Sequence, residues 1–158
     1  MAEQPVEQRM EVLLVEDNPG DIRLTEEAFK EASLDCNLHV VEDGEEALAF
    51  LNHEGKYRDA PTPDFILLDL NLPKKDGRQV LKEIKDNSAL KYIPVIILST
   101  SKSEDDIIKT YNLHANCYIS KPVDLDNFIE VVQNIKSFWF TIVALPKRQN
   151  LNTKVTKD

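Results

Sequence analysis

Apolar residues along this chain fall into two patterns. Short, near-continuous runs read as strands: Val12–Val15, Phe65–Leu68, Val95–Leu98, the shorter Cys117–Ile119 and the more mixed Leu38–Val41. Continuous rather than alternating hydrophobicity means that both faces of a strand are covered, as in a parallel sheet. Between these runs the period changes to that of a helix. Asn18-Pro19 reads as an N-cap followed by proline at the first helical position, and Ile22, Leu24, Ala28, Phe29 and Ala32 follow at helical spacing. Glu45–Leu51 forms a second helix after a turn at Gly44. Val80, Leu81 and Ile84 mark a third, begun near Gly77. Ser103 and the acids Glu104, Asp105 and Asp106 open a fourth, where the helix dipole favours negative charge. A fifth starts at Asp124, with Leu125, Phe128, Ile129, Val132, Ile135 and Trp139 on one side. Strict alternation of strand and helix predicts an α/β fold with a parallel sheet and right-handed crossovers.

The remaining segments are polar. His53–Pro63 carries Gly55, Pro61 and Pro63 and reads as a surface loop. Residues 1–10 and 146–158 read as disordered termini that flank one domain over 11–145. A length of 158 residues accommodates one domain of ordinary size, and an apolar content of 42% is enough to build its core. Twenty-eight acidic against 19 basic residues give a net charge of −9, which argues against a nucleic-acid-binding role. Cys36 and Cys117 lie in apolar surroundings and read as reduced core residues of a cytoplasmic protein. The polar N-terminus is not a signal peptide, and no apolar run reaches the ~20 residues of a membrane span.

Chemistry gathers where the strands end. Glu16-Asp17 follows the first strand, Asp69 the third, Ser99-Thr100 the fourth and Ser120-Lys121 the fifth. In a parallel sheet these ends share one edge, and open α/β sheets bind their ligands there. Three carboxylates brought together repel one another, and a hard divalent cation such as Mg²⁺ relieves that repulsion. With oxygen donors and no Cys or His among them, the set does not suit zinc or copper. A cation, a hydroxyl and a lysine around one aspartate meet the needs of phosphoryl transfer, with a carboxylate as the nucleophile. Asp69 ends the central strand and is the candidate. His39, His53 and His114 share no metal-binding spacing, and the Gly44 turn is not a phosphate-binding loop.

On these residues the chain resembles the receiver domain of two-component response regulators, the chemotaxis-regulator-like fold, over about residues 11–136. The elements are the acidic pair Glu16-Asp17, Asp69 in LLDLNLPKKDG, Ser99 in VIILSTS, Tyr118 in CYISKP and Lys121 before Pro122, with spacings of 30, 19 and 3 residues from Asp69 to Lys121. LLDLNLPKKDGRQVLKEIK, NLHANCYISK and SFWFTIVALP are similar to the small phytochrome-associated response regulators of cyanobacteria. The resemblance implies a doubly wound five-stranded parallel sheet of order 2-1-3-4-5, the flavodoxin-like receiver fold. It also implies a role: a phosphorylation switch served by a sensor histidine kinase of the phytochrome type, with Mg²⁺ as cofactor and no catalytic output of its own. Asp69 is then the phosphoacceptor. Asp17, Glu16, Asp69 and the backbone carbonyl of Asn71 hold the metal, and Ser99 and Lys121 contact the phosphoryl group. Ser99 and Tyr118 form the switch, and Asn71 and Ser101 tune hydrolysis. Two departures from the commoner pattern stand out. Glu16 replaces an aspartate, and Ser99-Thr100 replaces threonine followed by alanine. The rival readings are a phosphorylation-independent interaction module on the same fold, and an aspartate-nucleophile phosphohydrolase. The second rival lacks its usual acid two residues after the nucleophile, where Asn71 stands.

At about 100° per residue, the apolar residues Leu125, Phe128, Val131, Val132, Ile135, Phe138, Trp139 and Ile142 cover half of the last helix. One side of a sheet needs a narrower stripe. The surplus, Val131, Phe138 and Ile142, predicts a partner surface, most simply a homodimer. Sedimentation at micromolar protein is expected to show a dimer; a monomer at every concentration would place the surplus back on its own domain.

Overall fold

A computed structural model of the chain describes residues 9–100, 104–121 and 124–138. Five strands form one sheet: β1 (Met10–Val15), β2 (Cys36–Val41), β3 (Phe65–Asp69), β4 (Val95–Ser99) and β5 (Cys117–Ser120). All neighbours are parallel, in the order β2-β1-β3-β4-β5. Five helices alternate with them: α1 (Pro19–Glu31), α2 (Gly44–Leu51), α3 (Gly77–Asp86), α4 (Glu104–Asn112) and α5 (Leu125–Phe138). The expected class and strand order are those observed.

The central strands β3 and β4 are buried at every residue, which explains their unbroken apolar runs. Leu13, Val15, Ile66, Leu68, Val95 and Ile97 form one core with Ala47, Phe50 and Leu51 of α2 and Val80, Leu81 and Ile84 of α3. The alternate positions Val12, Leu14, Phe65, Leu67, Ile96 and Leu98 are buried as well. Each such Leu, Ile or Val contributes about 1.5–3 kcal/mol on leaving water. β2, at the edge of the sheet, is half-buried along most of its length, which accounts for its more mixed sequence.

Local chemistry sets the helix starts. The Asn18 side chain accepts the Asp21 amide at 3.0 Å, ahead of Pro19 in the first turn. Asp43 accepts the Glu46 amide at 2.8 Å and Asp76 the Arg78 amide at 2.7 Å. Asp124 does the same for the Asn127 amide at 2.8 Å.

The chain divides into two compact units, residues 1–24 with 35–123, and 25–34 with 124–158. The first contains all five strands. In the second, Lys136 of α5 donates to the carbonyl of Ser33 at 3.0 Å, just past the end of α1, where a cation is favoured.

Three expectations need correction. The N-terminal stretch read as disordered extends too far, because Met10 is buried and pairs with Cys36, and Arg9 donates to the Cys36 carbonyl at 2.7 Å. Polar Glu11 hid this strand start: its carboxylate is occupied by Asn37 and His39 of the neighbouring strand, at 3.0 and 2.8 Å. The loop at 53–63 contains a 3₁₀ turn at Gly55–Tyr57. There the Tyr57 ring lies 5.3 Å from that of Phe50, and its hydroxyl donates to Glu46. Cys36 and Cys117 are unbridged but only half-buried, since each opens an edge strand. Burial still pushes the Cys36 thiol up to about 11, so it is little ionised at neutral pH. Residues 1–8 and the tail at 146–158 lie outside the described residues.

Two glycines let the loop after β3 pack closely. A Cβ on Gly44 would lie 2.2 Å from the Lys75 carbonyl oxygen, and one on Gly77 would lie 2.3 Å from that of Asp69. Both obstacles are backbone. Gly77→Ala is therefore expected to cost about 1–3 kcal/mol of stability, read as a lower urea midpoint at an unchanged denaturant slope.

Candidate functional site

The four strand ends named above meet at one edge of the sheet. β1 runs out at Val15, and the Glu16 amide donates to the Val41 carbonyl at 3.0 Å. The Glu16 side chain turns inward and is 1% exposed. Asp17, one residue on, is exposed at the mouth. Asp69 is the last residue of β3 and is buried. Carboxylate oxygens of Glu16, Asp17 and Asp69 lie within 4.8 Å of one another.

Lys121 follows β5 and is held by its amide, which donates to the Ser99 carbonyl at 2.7 Å. Its buried ammonium lies 2.6 Å from Glu16 Oε1, 2.8 Å from Asp21 Oδ2 and 3.5 Å from Asp69 Oδ2. The other Asp69 oxygen, Oδ1, accepts the Asn71 amide at 3.0 Å. The Asn71 side chain reaches across to Thr100 and donates to its hydroxyl at 3.2 Å.

Three carboxylates thus face one ammonium, with Asp17 a further acid at the mouth. Burial pushes Glu16 up to about 7, against the hydrogen bond from Lys121, and the charge of Asp69 adds to the rise. Burial alone would lower Lys121, but the hydrogen bonds to Asp21 and Glu16 outweigh it and hold the ammonium above its ordinary value. Lys121 therefore stays charged, and the strain of the cluster falls on Glu16. Hard oxygen donors in negative excess suit a divalent cation such as Mg²⁺, and Glu16, Asp17 and Asp69 are the side chains able to hold one.

Of the residues singled out from sequence, Glu16, Asp17, Asp69 and Lys121 come together. Ser99 ends β4 at the same edge and is fully buried. The Asn71 backbone amide donates to Asp69. Tyr118 lies inside β5 opposite Ile97, half-buried against the core. Val131 is half-buried; Phe138 ends α5, and its side chain, Ser101 and Ile142 lie outside the described residues.

Sequence reading missed Asp21. Its signal was available, because Asp21 stands four residues after Asp17, in the first turn that Asn18 caps. It also missed the ion pair of Arg78 with Asp106, two hydrogen bonds of 2.8 and 3.1 Å that tie the start of α3 to α4.

Residues 12–133 match the response regulator receiver domain. The chain belongs to this family. Response regulator Rcp1 of Synechocystis is 52% identical over 135 residues, which span 85% of this chain and 92% of that protein. The solved structure of the phosphorylated cyanobacterial phytochrome response regulator RcpA is 50% identical, covers 88% of this chain and 99% of its own, and superposes with a TM-score of 0.79. The Mn²⁺-bound form of Rcp1 is 51% identical, covers 85% and 96%, and gives a TM-score of 0.76. The expected kinship with phytochrome-associated response regulators is thus observed, and with it the flavodoxin-like receiver fold. No helix among the described residues of this receiver is long and apolar enough to cross a membrane.

The charge balance of the receiver site has a measurable consequence. Glu16 keeps its proton in the folded chain up to about pH 7, whereas an ordinary glutamate loses it near 4.5. Between those values the unfolded chain binds fewer protons, so this group's contribution to stability falls as pH rises. In chelator-containing buffer, Glu16→Gln is expected to match the parent near pH 5 and to exceed it by about 2 kcal/mol at pH 8, read from urea midpoints at the two pH values.

Proposed function

We propose that this chain acts as a phosphorylation switch that accepts a phosphoryl group on Asp69. The observation that carries the reading is the meeting of buried Asp69 with Lys121 and two further acids at the strand edge, in a chain of the receiver family. The donor is the phosphohistidine of a sensor histidine kinase. Kinship with RcpA and Rcp1 supports a kinase of the phytochrome type in the cytoplasm.

The chain's own groups divide the work. The Asn71 amide engages Asp69 Oδ1, which leaves Oδ2, on the Lys121 side, as the attacking oxygen. As Oδ2 bonds to phosphorus, the P–N bond to the donor imidazole breaks and its electron pair stays on the ring. The product is an aspartyl phosphate, a mixed anhydride. Lys121 pairs with the charge gathering on the phosphoryl oxygens. A bound Mg²⁺ would neutralise more of that charge, held by Asp17, Glu16, Asp69 and the Asn71 carbonyl. The metal of Rcp1, a Mn²⁺ ion, supports a divalent ion here.

Phosphorylation replaces the single charge of the Asp69 carboxylate with a phosphoryl group carrying about −1.5 to −2, and it brings strong acceptors. The Ser99 hydroxyl turns to donate to one of them, Tyr118 repacks with it, and the surface around α4 and β5 changes for a protein partner. Water attack on phosphorus then breaks the P–O bond to Asp69, releasing inorganic phosphate and restoring the carboxylate. Asn71 and Ser101 set the access of that water. A homodimer on α5, through Val131, Phe138 and Ile142, belongs to the same proposal.

Incubation with acetyl phosphate and Mg²⁺ is expected to add one phosphoryl group by intact-mass measurement. The adduct is expected to be absent in Asp69→Asn, slowed at least about tenfold in Lys121→Gln, and lost on treatment with hydroxylamine. An unmodified parent chain at saturating donor would favour the phosphorylation-independent module.

A further inference from the structure

We propose that Asp21 is a positioning residue for Lys121, holding its ammonium back from Asp69 while the chain rests. The inference deepens the phosphoacceptor reading above and rests on it.

A lysine ammonium has three N–H donors. Here they face three carboxylates at unequal distances, 2.6 Å to Glu16, 2.8 Å to Asp21 and 3.5 Å to Asp69. The two short contacts draw Nζ toward the β1–α1 side and away from the oxygen that reacts. Asp21 is fixed for this purpose: Asn18 caps its amide at 3.0 Å, and it stands in the first turn of α1.

Glu16 and Asp21 differ in what a cation does to them. Glu16 belongs to the cluster whose oxygens lie within 4.8 Å of one another, and Asp21 does not. A cation held by Glu16, Asp17 and Asp69 would compete for the oxygen that Lys121 uses on Glu16 and would leave the Asp21 contact in place. Asp21 therefore remains a rival for Lys121 when the site is charged with metal. The phosphoryl group must win the ammonium from it, so Asp21 weakens the activated state relative to the resting one.

Two other roles for Asp21 give different results. As an acid in the first helical turn it would stabilise α1 alone. As a plain negative charge it would repel an anionic phosphoryl group whether or not Lys121 were present. A double-mutant cycle separates these. Binding of beryllofluoride with Mg²⁺ is measured by calorimetry for the parent, Asp21→Asn, Lys121→Gln and the double variant. The expected result is that Asp21→Asn tightens binding about 3- to 10-fold, and that the same change made on Lys121→Gln shifts affinity by less than about twofold. Unchanged or weaker binding in Asp21→Asn overturns the proposal, as does equal tightening in the Lys121→Gln background.

A second measurement needs no phosphoryl mimic. The ¹⁵N signal of the Lys121 ammonium is expected to be protected from exchange in the parent and lost in Asp21→Asn. Its persistence in Asp21→Asn, or its absence from the parent, overturns the resting hold. A parent that shows the protected ammonium yet fails to bind beryllofluoride at saturating Mg²⁺ overturns the phosphoacceptor reading instead, and with it the role of Asp21 in activation.

Discussion

One buried ammonium set among carboxylates organises the functional edge of this molecule. Lys121 is drawn from the end of β5, Glu16 from β1, Asp69 from β3 and Asp21 from α1, so the contact joins four elements separated by up to 105 residues in sequence. None of these groups is at ease alone. A buried carboxylate without a partner is costly, and so is a buried lysine. Together the three acids outnumber the one ammonium, and burial, helped by the charge of Asp69, leaves Glu16 holding its proton toward neutral pH. The fold thus maintains a site that gains by taking up positive charge. An extra methylene at position 16 allows the acid to turn inward to Lys121, while Asp17 stays at the mouth.

The sheet is what allows these charges to meet, and its legibility in the sequence follows from burial. Val12–Val15, Phe65–Leu68 and Val95–Leu98 are unbroken because both faces are covered. Once those runs are read as parallel strands, Glu16, Asp17, Asp69, Ser99 and Lys121 fall at one edge by topology alone. Met10 was hidden because Glu11 interrupts the run, and nothing local announces that Asn37 and His39 satisfy that acid. The loop at 53–63 has turn-forming composition, yet Tyr57 closes onto Phe50, a contact that depends on the placement of α2. Asp21 needed a different inference, because it comes from a helix and reaches the site by the rotation of a first turn. Arg78 and Asp106 lie on separate helices at a sequence distance of 28, and their pairing has no periodic signal.

Close backbone approach links the core to Asp69. Gly77 lets α3 begin against the carbonyl of Asp69, and its amide donates to the Leu70 carbonyl at 3.0 Å. The residue after it is Arg78, which bonds Asp76 beside it and Asp106 on α4. Two short chains of contacts therefore lead outward from Asp69. One runs through Gly77 and Arg78 to α4. The other runs through Ser99 and Thr100 at the end of β4, where Asn71 already spans the gap between the two loops.

On the proposed reading of Asp69 as acceptor, that geometry also bears on how the residue distinguishes its two oxygens. A free carboxylate is symmetric, and either oxygen serves as a nucleophile. Here Oδ1 is committed to the Asn71 amide, and Oδ2 faces the lysine at 3.5 Å, longer than its contacts to Glu16 and Asp21. The longer distance leaves the ammonium attracted to the reacting oxygen without being spent on it. A lysine bonded tightly to Oδ2 would lower its nucleophilicity and would have to be displaced before phosphorus could approach. A lysine held farther off by other acids leaves the oxygen open and remains within reach as charge builds on the phosphoryl group. On the proposed reading, the excess of carboxylates serves reactivity twice, by attracting a cation and by keeping Lys121 partly engaged elsewhere until an anhydride forms.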